Sequence, residues 1–145
     1  MTLGGDDLSA AEAEIYDRQL RLWGIEAQRR MQNSRVLVTG LTTIGAEVVK
    51  NLVLAGMNVT IQDDKLVEES DLRNHFLLSE QDLGKNRARA AFPNIQDLNP
   101  LTTVECWEDS LENIMDEQWK SFQVVTLTSA SKSLQVCASL SPLFE

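Results

Sequence analysis

Apolar residues in this chain gather in short runs that alternate with helix-favouring segments. The runs of strand length are Arg35–Thr39, Asn58–Gln62, Thr102–Trp107 and Phe122–Thr128. The segments that favour a helix are Ala46–Ala55, Lys85–Ala91, Asn113–Lys120 and Ser131–Leu140. Near-continuous apolar strands are typical of a sheet that is buried on both faces. The alternation therefore predicts an α/β fold with a doubly wound, mostly parallel, Rossmann-like sheet.

A helical segment precedes the first strand. Ser9–Glu12 has the form of a capping box, in which a hydroxyl and a carboxylate satisfy free N–H groups at a helix start. We expect Gly24 to interrupt this helix and Ile25–Gln32 to form a second short one. The predicted organisation is a disordered N-terminus (1–8), an N-terminal helical segment (9–34) and a sheet domain (35–145).

Two features of the sheet domain depart from the usual pattern. Pro93 falls where a helix would continue, and its missing N–H and its ring predict a kink or a break there. The chain supplies about four strands, whereas a doubly wound sheet of this kind usually has five or six. We therefore expect a partial sheet, incomplete at the C-terminus, whose apolar edge something else must cover.

Composition restricts the classes of function. The 145 residues are 43% hydrophobic and 24% charged, as in soluble globular proteins. A formal net charge of −9 disfavours nucleic-acid binding, which needs positive charge to meet phosphates. No apolar run approaches the roughly 18 residues that span a bilayer, and no secretory signal begins the chain, so no membrane partner is expected. Cys106 and Cys137 form no CxxC pair, so we interpret both as structural and expect a reducing location, the nucleus and cytoplasm.

The turn after the first strand has the outline of a phosphate-binding loop. Gly40 and Gly45 stand at its first and last positions, and Asp63 follows Gly45 by 18 residues, where an acid binds ribose in dinucleotide sites. Thr42 replaces the middle glycine, whose missing side chain admits the phosphates. Two interpretations stay open. Gly40, Gly45 and Asp63 form a vestigial nucleotide site, or the turn only packs the helix on the strand.

Five stretches carry a much more specific signal than the turn. They are YDRQLRLWG (Tyr16–Gly24), IEAQ (Ile25–Gln28), KNLVLAG (Lys50–Gly56), GKNRA (Gly84–Ala88) and DLNP (Asp97–Pro100). In this order the blocks resemble the ubiquitin-like-modifier activating enzymes, which share their fold with bacterial adenylyltransferases that activate sulfur-carrier proteins. The resemblance covers Ser9 to Thr128. It implies two such domains face to face, in one chain or in a heterodimer.

The resemblance implies a division of labour between the two domains. An active domain adenylates the C-terminal glycine of the modifier with ATP and Mg²⁺, and a cysteine elsewhere then takes the modifier as a thioester. An inactive domain contributes structure and one arginine that reaches the ATP site of its partner, which here is Arg18. A guanidinium is always charged and donates to two phosphate oxygens at once. From the residues alone, an (i, i+4) ion pair with Glu14 is the alternative role for Arg18.

The resemblance also identifies positions at which an active domain has ATP- and Mg²⁺-binding residues. This chain has other residue types at these positions. They are Lys65, Asp71, Asn74, His75, Arg87 and Ala130, with Thr42 in the turn. Lys65 in place of an acid and Asp71 near the phosphates both have the wrong sign for Mg·ATP. Ala130 lacks the oxygen ligand that Mg²⁺ would need. The chain thus matches the inactive half, with no cofactor or metal of its own and with ATP and Mg²⁺ in its partner.

The expected function is that of a regulatory, non-catalytic subunit whose partner is the catalytic subunit of a heterodimer. Gly24–Gln28 and Val67–Leu72 resemble the SUMO-activating branch of the family most, and a SUMO-type modifier would meet this chain only indirectly. The NEDD8-activating branch is the alternative, because it shares two of the blocks and a threonine-rich turn. A self-sufficient nucleotide-dependent enzyme and an inactive interaction fragment are the other hypotheses.

Overall fold

The computed structural model describes residues 8–129, in which strands and helices alternate. The strands are β1 (Arg35–Thr39), β2 (Asn58–Gln62), β3 (Val104–Trp107) and β4 (Val124–Leu127). The helices are α1 (Ala10–Ile15), α2 (Asp17–Gln32), α3 (Thr43–Leu54), α4 (Glu69–Leu72), α5 (Arg87–Gln96) and α6 (Asp116–Trp119), with short 3₁₀ turns at Glu80–Asp82 and Leu111–Asn113. The first seven residues of the N-terminus predicted to be disordered (1–8) lie outside the described residues, as do the helix predicted over Ser131–Leu140, Ala130 and Cys137.

The four strands form one parallel sheet in the order β3-β2-β1-β4. β1 lies between β2 and β4, so that Val36 is opposite both Val59 and Val124. Helices α3 and α5 lie in the crossover connections that parallel strands need. The predicted Rossmann-like α/β fold is therefore confirmed. In this class of sheet, ligands bind outside the carboxyl ends of the strands where the strand order reverses, which here is beside β1.

The core lies between one face of the sheet and helices α3 and α5. Val36 and Val38 of β1 share this face because side chains alternate along a strand. Val49 and Val53 present the apolar stripe of α3 at helical spacing. The remaining buried members are Leu41, Ala46, Val59, Ile61, Leu77, Ala88, Ala91, Ile95 and Val104. This packing holds the carboxyl ends of the strands and the end of α3 in place.

Helix α5 runs through Pro93, so the break that the sequence analysis allowed for at this position is wrong. Pro93 lacks the N–H that would bond the carbonyl of Arg89, and its ring crowds that carbonyl, at a cost of about 3 kcal/mol or more. Ala88, Ala91 and Ile95 are fully buried in the core, and their burial offsets this cost. Tertiary packing therefore overrides the local preference for a helix break.

Other elements differ from the prediction at their ends. α3 begins at Thr43 rather than Ala46, because Thr42 caps it and accepts a hydrogen bond from the N–H of Gly45 at 3.4 Å. β3 and β4 each begin two residues later than predicted and are four residues long. The single helix predicted over Asn113–Lys120 is replaced by a 3₁₀ turn followed by the four-residue α6.

Candidate functional site

Tyr16 forms the junction between α1 and α2. Its N–H donates to the carbonyl of Glu12 at 2.9 Å and closes α1, while its carbonyl accepts from the N–H of Leu20 at 2.8 Å and opens α2. The predicted capping box of Ser9 and Glu12 is confirmed, and Gln32 Nε2 donates to Glu12 Oε1 at 3.0 Å. The side chain of Tyr16 points into the fold, since only 1% of the residue is exposed.

Four buried residues hold this junction against the end of α3. We call them the anchor cluster, which consists of Tyr16, Gln28, Gly56 and Asn99. Asn99 Nδ2 donates to Tyr16 Oη at 2.8 Å and to the carbonyl of Val53 at 2.9 Å. Asn99 Oδ1 accepts from the N–H of Leu101 at 3.1 Å, so that the carboxamide itself is held in place. One side chain thus links the start of α2 to the last turn of α3.

Gly56 and Gln28 complete the anchor cluster. Gly56 has φ +94°, and a Cβ there would lie 2.8 Å from Tyr16 Oη and 3.0 Å from Gln28 Nε2. Gln28 is fully buried, and its Nε2 donates to the carbonyl of Ala55 at 2.9 Å. A glycine is therefore required for both its backbone conformation and the close approach of the two side chains.

The anchor cluster gives the sequence blocks a structural role. Tyr16, Gln28, Gly56 and Asn99 each come from a different block. Sequence reasoning assigned Gln28 and Asn99 no role, because the hydrogen bonds of Asn99 reach residues 83 and 46 positions away. The available signal was the amide side chain in each of these two blocks, Gln28 in Ile25–Gln28 and Asn99 in Asp97–Pro100. The blocks hold the N-terminal helical segment on the sheet domain.

Gly24 interrupts α2 as predicted. Its φ of 82° and ψ of 170° lie outside the helical region. Trp23 Nε1 donates to Gln28 Oε1 across the interruption at 3.2 Å. The two halves of α2 are therefore braced against each other, and the first half carries Arg18.

Arg18 lies exposed in the first turn of α2. Its neighbour Arg21 pairs with Asp17 at 3.1 Å, but no ion pair between residues in the range 8–129 includes Arg18. The alternative pair with Glu14 is thus not seen in the described part of the chain. The guanidinium of Arg18 is left facing solvent, where it could meet an anion on another molecule.

The turn between β1 and α3 leaves no room for side chains at its two glycines. A Cβ at Gly40, whose φ is +81°, would lie 2.7 Å from Ser129 Cβ. A Cβ at Gly45 would lie 2.0 Å from the carbonyl oxygen of Gly40. Thr128 Oγ1 also donates to the carbonyl of Gly40 at 2.6 Å. Close packing by itself therefore requires both glycines, with or without a nucleotide.

Asp63 joins the end of β2 to two neighbouring segments. Its Oδ2 accepts from the N–H of Leu41 at 2.6 Å and from Arg87 Nε at 2.7 Å. Its Oδ1 accepts from the N–H of Lys65 at 3.0 Å. Asp63 is 3% exposed, so a ribose would have to compete with these three internal donors.

Arg87 is buried between two carboxylates. Its Nη1 lies 3.1 Å from Asp71 Oδ1, in addition to the contact with Asp63. Burial by itself lowers the pKa of Arg87, but the carboxylates of Asp63 and Asp71 outweigh burial and raise the pKa above its ordinary value. Arg87, one of the positions where the residue type differs from that of an active domain, is therefore a cation already neutralised within the chain. Asp71, with the wrong sign for phosphate, is one of its two partners.

A cavity of about 130 Å³ lies at this carboxyl edge, lined in part by Gly40, Asp63 and Arg87. Small-molecule sites usually measure about 300 to 1,000 Å³, so this cavity is smaller than such sites usually are. The hydroxyl of Thr42 accepts from the N–H of Gly45, a group that an anion would otherwise use. These residues do not fit a Mg²⁺–nucleotide complex in this arrangement, and nucleotide binding at Gly40, Gly45 and Asp63 stays a prediction.

His75 is buried and Cys106 is half-buried, and neither has the features of a catalytic residue. Burial lowers the pKa of His75, and its Nε2 donates to the carbonyl of Leu41 at 2.8 Å. Its Nδ1 is buried and has no hydrogen-bond partner among the described residues. Burial raises the pKa of the Cys106 thiol, which makes the nucleophilic thiolate scarcer. The hydrogen bond from His75 to the Leu41 carbonyl connects the segment after α4 to the turn after β1.

The range 8–129 offers neither a metal site nor a membrane span. It contains no group of three or more His, Cys, Asp or Glu residues arranged to hold a metal ion. None of its helices combines the length and the apolar character needed to cross a bilayer.

Comparison with known proteins places the chain in a family. A family model described as the ThiF family matches residues 16–135. SUMO-activating enzyme subunit 1 of Xenopus tropicalis is 45% identical over 130 residues, which are 89% of this chain and 38% of that protein. The human protein of the same name is 41% identical over 133 residues, which are 91% of this chain and 38% of the human protein. The protein of the same name from Dictyostelium discoideum is 36% identical over 126 residues, which are 86% of this chain and 38% of the Dictyostelium protein.

The chain thus spans about two fifths of the length of these curated relatives. A crystal structure of selenomethionine PaaA superimposes with a TM-score of 0.72, covers 87% of this chain and 43% of that chain, and is 22% identical. At that identity the likeness concerns the fold alone, and it agrees with the parallel sheet described above. The family match, which extends over most of the chain and includes the anchor cluster, shows that this chain belongs to the ThiF family.

Proposed function

We propose that this chain acts as the supporting, non-catalytic subunit of a SUMO-activating heterodimer and supplies Arg18 to the ATP site of the catalytic partner. The observation that carries the proposal is the exposed guanidinium of Arg18, which forms no ion pair within residues 8–129 and lies on a helix that the anchor cluster holds in place. The name of the relatives, SUMO-activating enzyme subunit 1, supports the SUMO branch over the NEDD8 branch.

The chemistry of adenylation suits a guanidinium supplied by a second subunit. The carboxylate of the modifier attacks the α-phosphorus of ATP, an acyl–phosphate bond forms, and pyrophosphate leaves. Negative charge builds up on the phosphate oxygens, and an arginine stabilises it with two N–H donors in fixed geometry. Because Arg18 comes from the supporting subunit, activity would depend on assembly, as it does for arginine fingers.

The carboxyl edge of the chain's own sheet supports this division of roles. Arg87 is neutralised by Asp63 and Asp71, and the cavity beside them measures about 130 Å³. ATP and Mg²⁺ would therefore be bound by the partner, and the modifier would contact this chain only indirectly. We propose the nucleus and cytoplasm as the location of the heterodimer, which imaging of a fluorescent fusion would test.

The test is pyrophosphate exchange by the chain assembled with a SUMO-type catalytic subunit. Arg18→Ala should lower the rate about a hundredfold or more while the complex persists. Arg21→Ala is the matched control, since Arg21 is an exposed arginine three residues further along the same helix and pairs with Asp17. Full activity of the Arg18→Ala complex would overturn the proposal.

Two further results would select other functions. A complex that assembles normally but supports no adenylation with the unaltered chain would identify an interaction fragment. A rise in the melting temperature of the isolated chain with Mg·ATP, abolished by Asp63→Ala, would favour a self-sufficient nucleotide-dependent enzyme. A NEDD8-type catalytic subunit in parallel would assign the branch.

A further inference from the structure

Tyr16 sets the direction in which α2 leaves α1. Its backbone closes one helix and opens the next, and it has φ −99° and ψ 13°, outside regular helical geometry. Arg18 follows two residues later, in the first turn of α2. The location of Arg18 therefore depends on where the side chain of Tyr16 is held.

The Tyr16 hydroxyl is held by a polar contact deep inside the fold. Asn99 Nδ2 donates to it at 2.8 Å, and the same nitrogen donates to the carbonyl of Val53 in α3 at 2.9 Å. Asn99 is 3% exposed, so neither N–H could turn to water if the hydroxyl were lost. This hydrogen-bond pair joins the start of α2 to the core helix α3.

Gly56 packs closely against the Tyr16 hydroxyl. The glycine backbone closes over the phenol so tightly that a Cβ would lie 2.8 Å from Tyr16 Oη. Gln28 makes a second, independent attachment of α2 to the same end of α3, through the carbonyl of Ala55 at 2.9 Å. Loss of the hydroxyl alone should thus loosen the first turn of α2 without detaching the helix.

We propose that Asn99 and Tyr16 are positioning residues for Arg18, a role that rests on the proposed function. The Asn99 carboxamide fixes the Tyr16 hydroxyl, the hydroxyl fixes the junction of α1 and α2, and the junction aims the Arg18 guanidinium at the partner's ATP site. A catalytic group displaced by about 1 Å can lose much of its effect on the rate. Neither Asn99 nor Tyr16 touches the nucleotide in this scheme.

A double-mutant cycle in the assembled heterodimer tests this coupling. Tyr16→Phe keeps the buried ring and removes only the hydroxyl, and it should lower the rate of adenylation about tenfold with unchanged affinity for the catalytic subunit. In an Arg18→Ala background the same substitution should cause no further loss, since Tyr16 acts only through Arg18. Asn94→Ala is the control, because it removes a 2.8 Å hydrogen bond to the Leu77 carbonyl that involves neither α2 nor α3.

The outcomes separate this inference from the proposed function. Equal losses from Tyr16→Phe in both backgrounds would overturn the positioning role and leave the function of Arg18 intact. Unchanged activity of Arg18→Ala would instead overturn the proposed function.

A measurement on the full chain alone gives a second test that needs no partner. Amide hydrogen exchange of the peptide Asp17–Leu22 should accelerate several-fold in Tyr16→Phe and stay unchanged in Asn94→Ala. Equal exchange of this peptide in the unaltered chain and in Tyr16→Phe would overturn the proposal.

Discussion

Gly40 and Gly84 have nearly the same backbone conformation, with φ of +81° and +78°. Their surroundings differ, because a Cβ at Gly40 would lie 2.7 Å from Ser129 Cβ, whereas a Cβ at Gly84 would meet no atom within 4 Å. At Gly84 only the left-handed conformation requires glycine. At Gly40 the conformation and the close packing of the turn after β1 both require it.

Alanine at these two positions should separate the two requirements. Gly84→Ala should lower the free energy of unfolding by about 1 to 2 kcal/mol, the cost of the left-handed conformation. Gly40→Ala should cost about 1 to 3 kcal/mol more, because the new methyl group overpacks the turn. Urea unfolding of both variants checks this, and equal losses would contradict the tight packing of the turn.

His75 is the residue from which we expect a pH-dependent stability. Its folded pKa lies below the ordinary value because of burial, so between the two pKa values the unfolded chain binds a proton that the folded chain does not. Stability should therefore be fully present above about pH 6.5 and fall as the pH is lowered through the folded pKa. Urea midpoints measured from pH 7.5 to 5 check this prediction.

His75→Gln is the control for this effect. A glutamine amide can still donate to the carbonyl of Leu41, as His75 Nε2 does at 2.8 Å, but it does not titrate. The variant should lose the part of the pH dependence that lies just below pH 6.5. An unchanged slope would assign the effect to other groups.

At the scale of elements, a buried ion pair joins α4 to α5. Asp71 lies in α4, and its partner Arg87 begins α5. The two side chains are 16% and 8% exposed, so water screens the pair little. The same guanidinium reaches Asp63 at the end of β2, and one cation therefore holds three segments together.

Asp71→Ala should lower the free energy of unfolding by about 2 kcal/mol or more, because it leaves part of a buried guanidinium unpaired. Glu26→Ala is the matched control, since it removes the partner of Arg30 in a surface pair whose side chains are 79% and 78% exposed. Its loss should stay below about 1 kcal/mol. Chemical denaturation of both variants gives the comparison, and similar losses would mean that the buried pair stabilises no more than a surface pair.

At the scale of the whole molecule, the two candidate regions differ in their arginines. One region has an arginine neutralised by carboxylates, and the other presents an exposed arginine. The carboxyl edge of the sheet, where this class of fold binds ligands, has its buried cation paired with acids. The N-terminal helical segment, outside the sheet, presents the exposed Arg18 on a braced helix. The anchor cluster connects the two regions, so that the sheet domain serves as the support on which α2 is positioned.

The local pattern of the sequence determined much of this architecture. The apolar runs of β1 and β2 were predicted to the residue, because burial on both faces leaves a continuous local signal. The capping box at Ser9 and the interruption at Gly24 were also predictable, because each depends on residues that lie close together in sequence. Arg18 was singled out by its block and not by any physical pattern.

Contacts between distant segments were decided only by the tertiary structure. The bond from Asn99 to Tyr16 crosses 83 residues, and the neutralisation of Arg87 by Asp71 depends on how α4 folds back on α5. Pro93 stays inside a helix because the core supplies more stabilisation than the local cost of the proline. Such outcomes depend on which surfaces meet, and no local run of residues encodes that. The sequence by itself therefore determined the elements and the family blocks, and the packing decided what the blocks hold together.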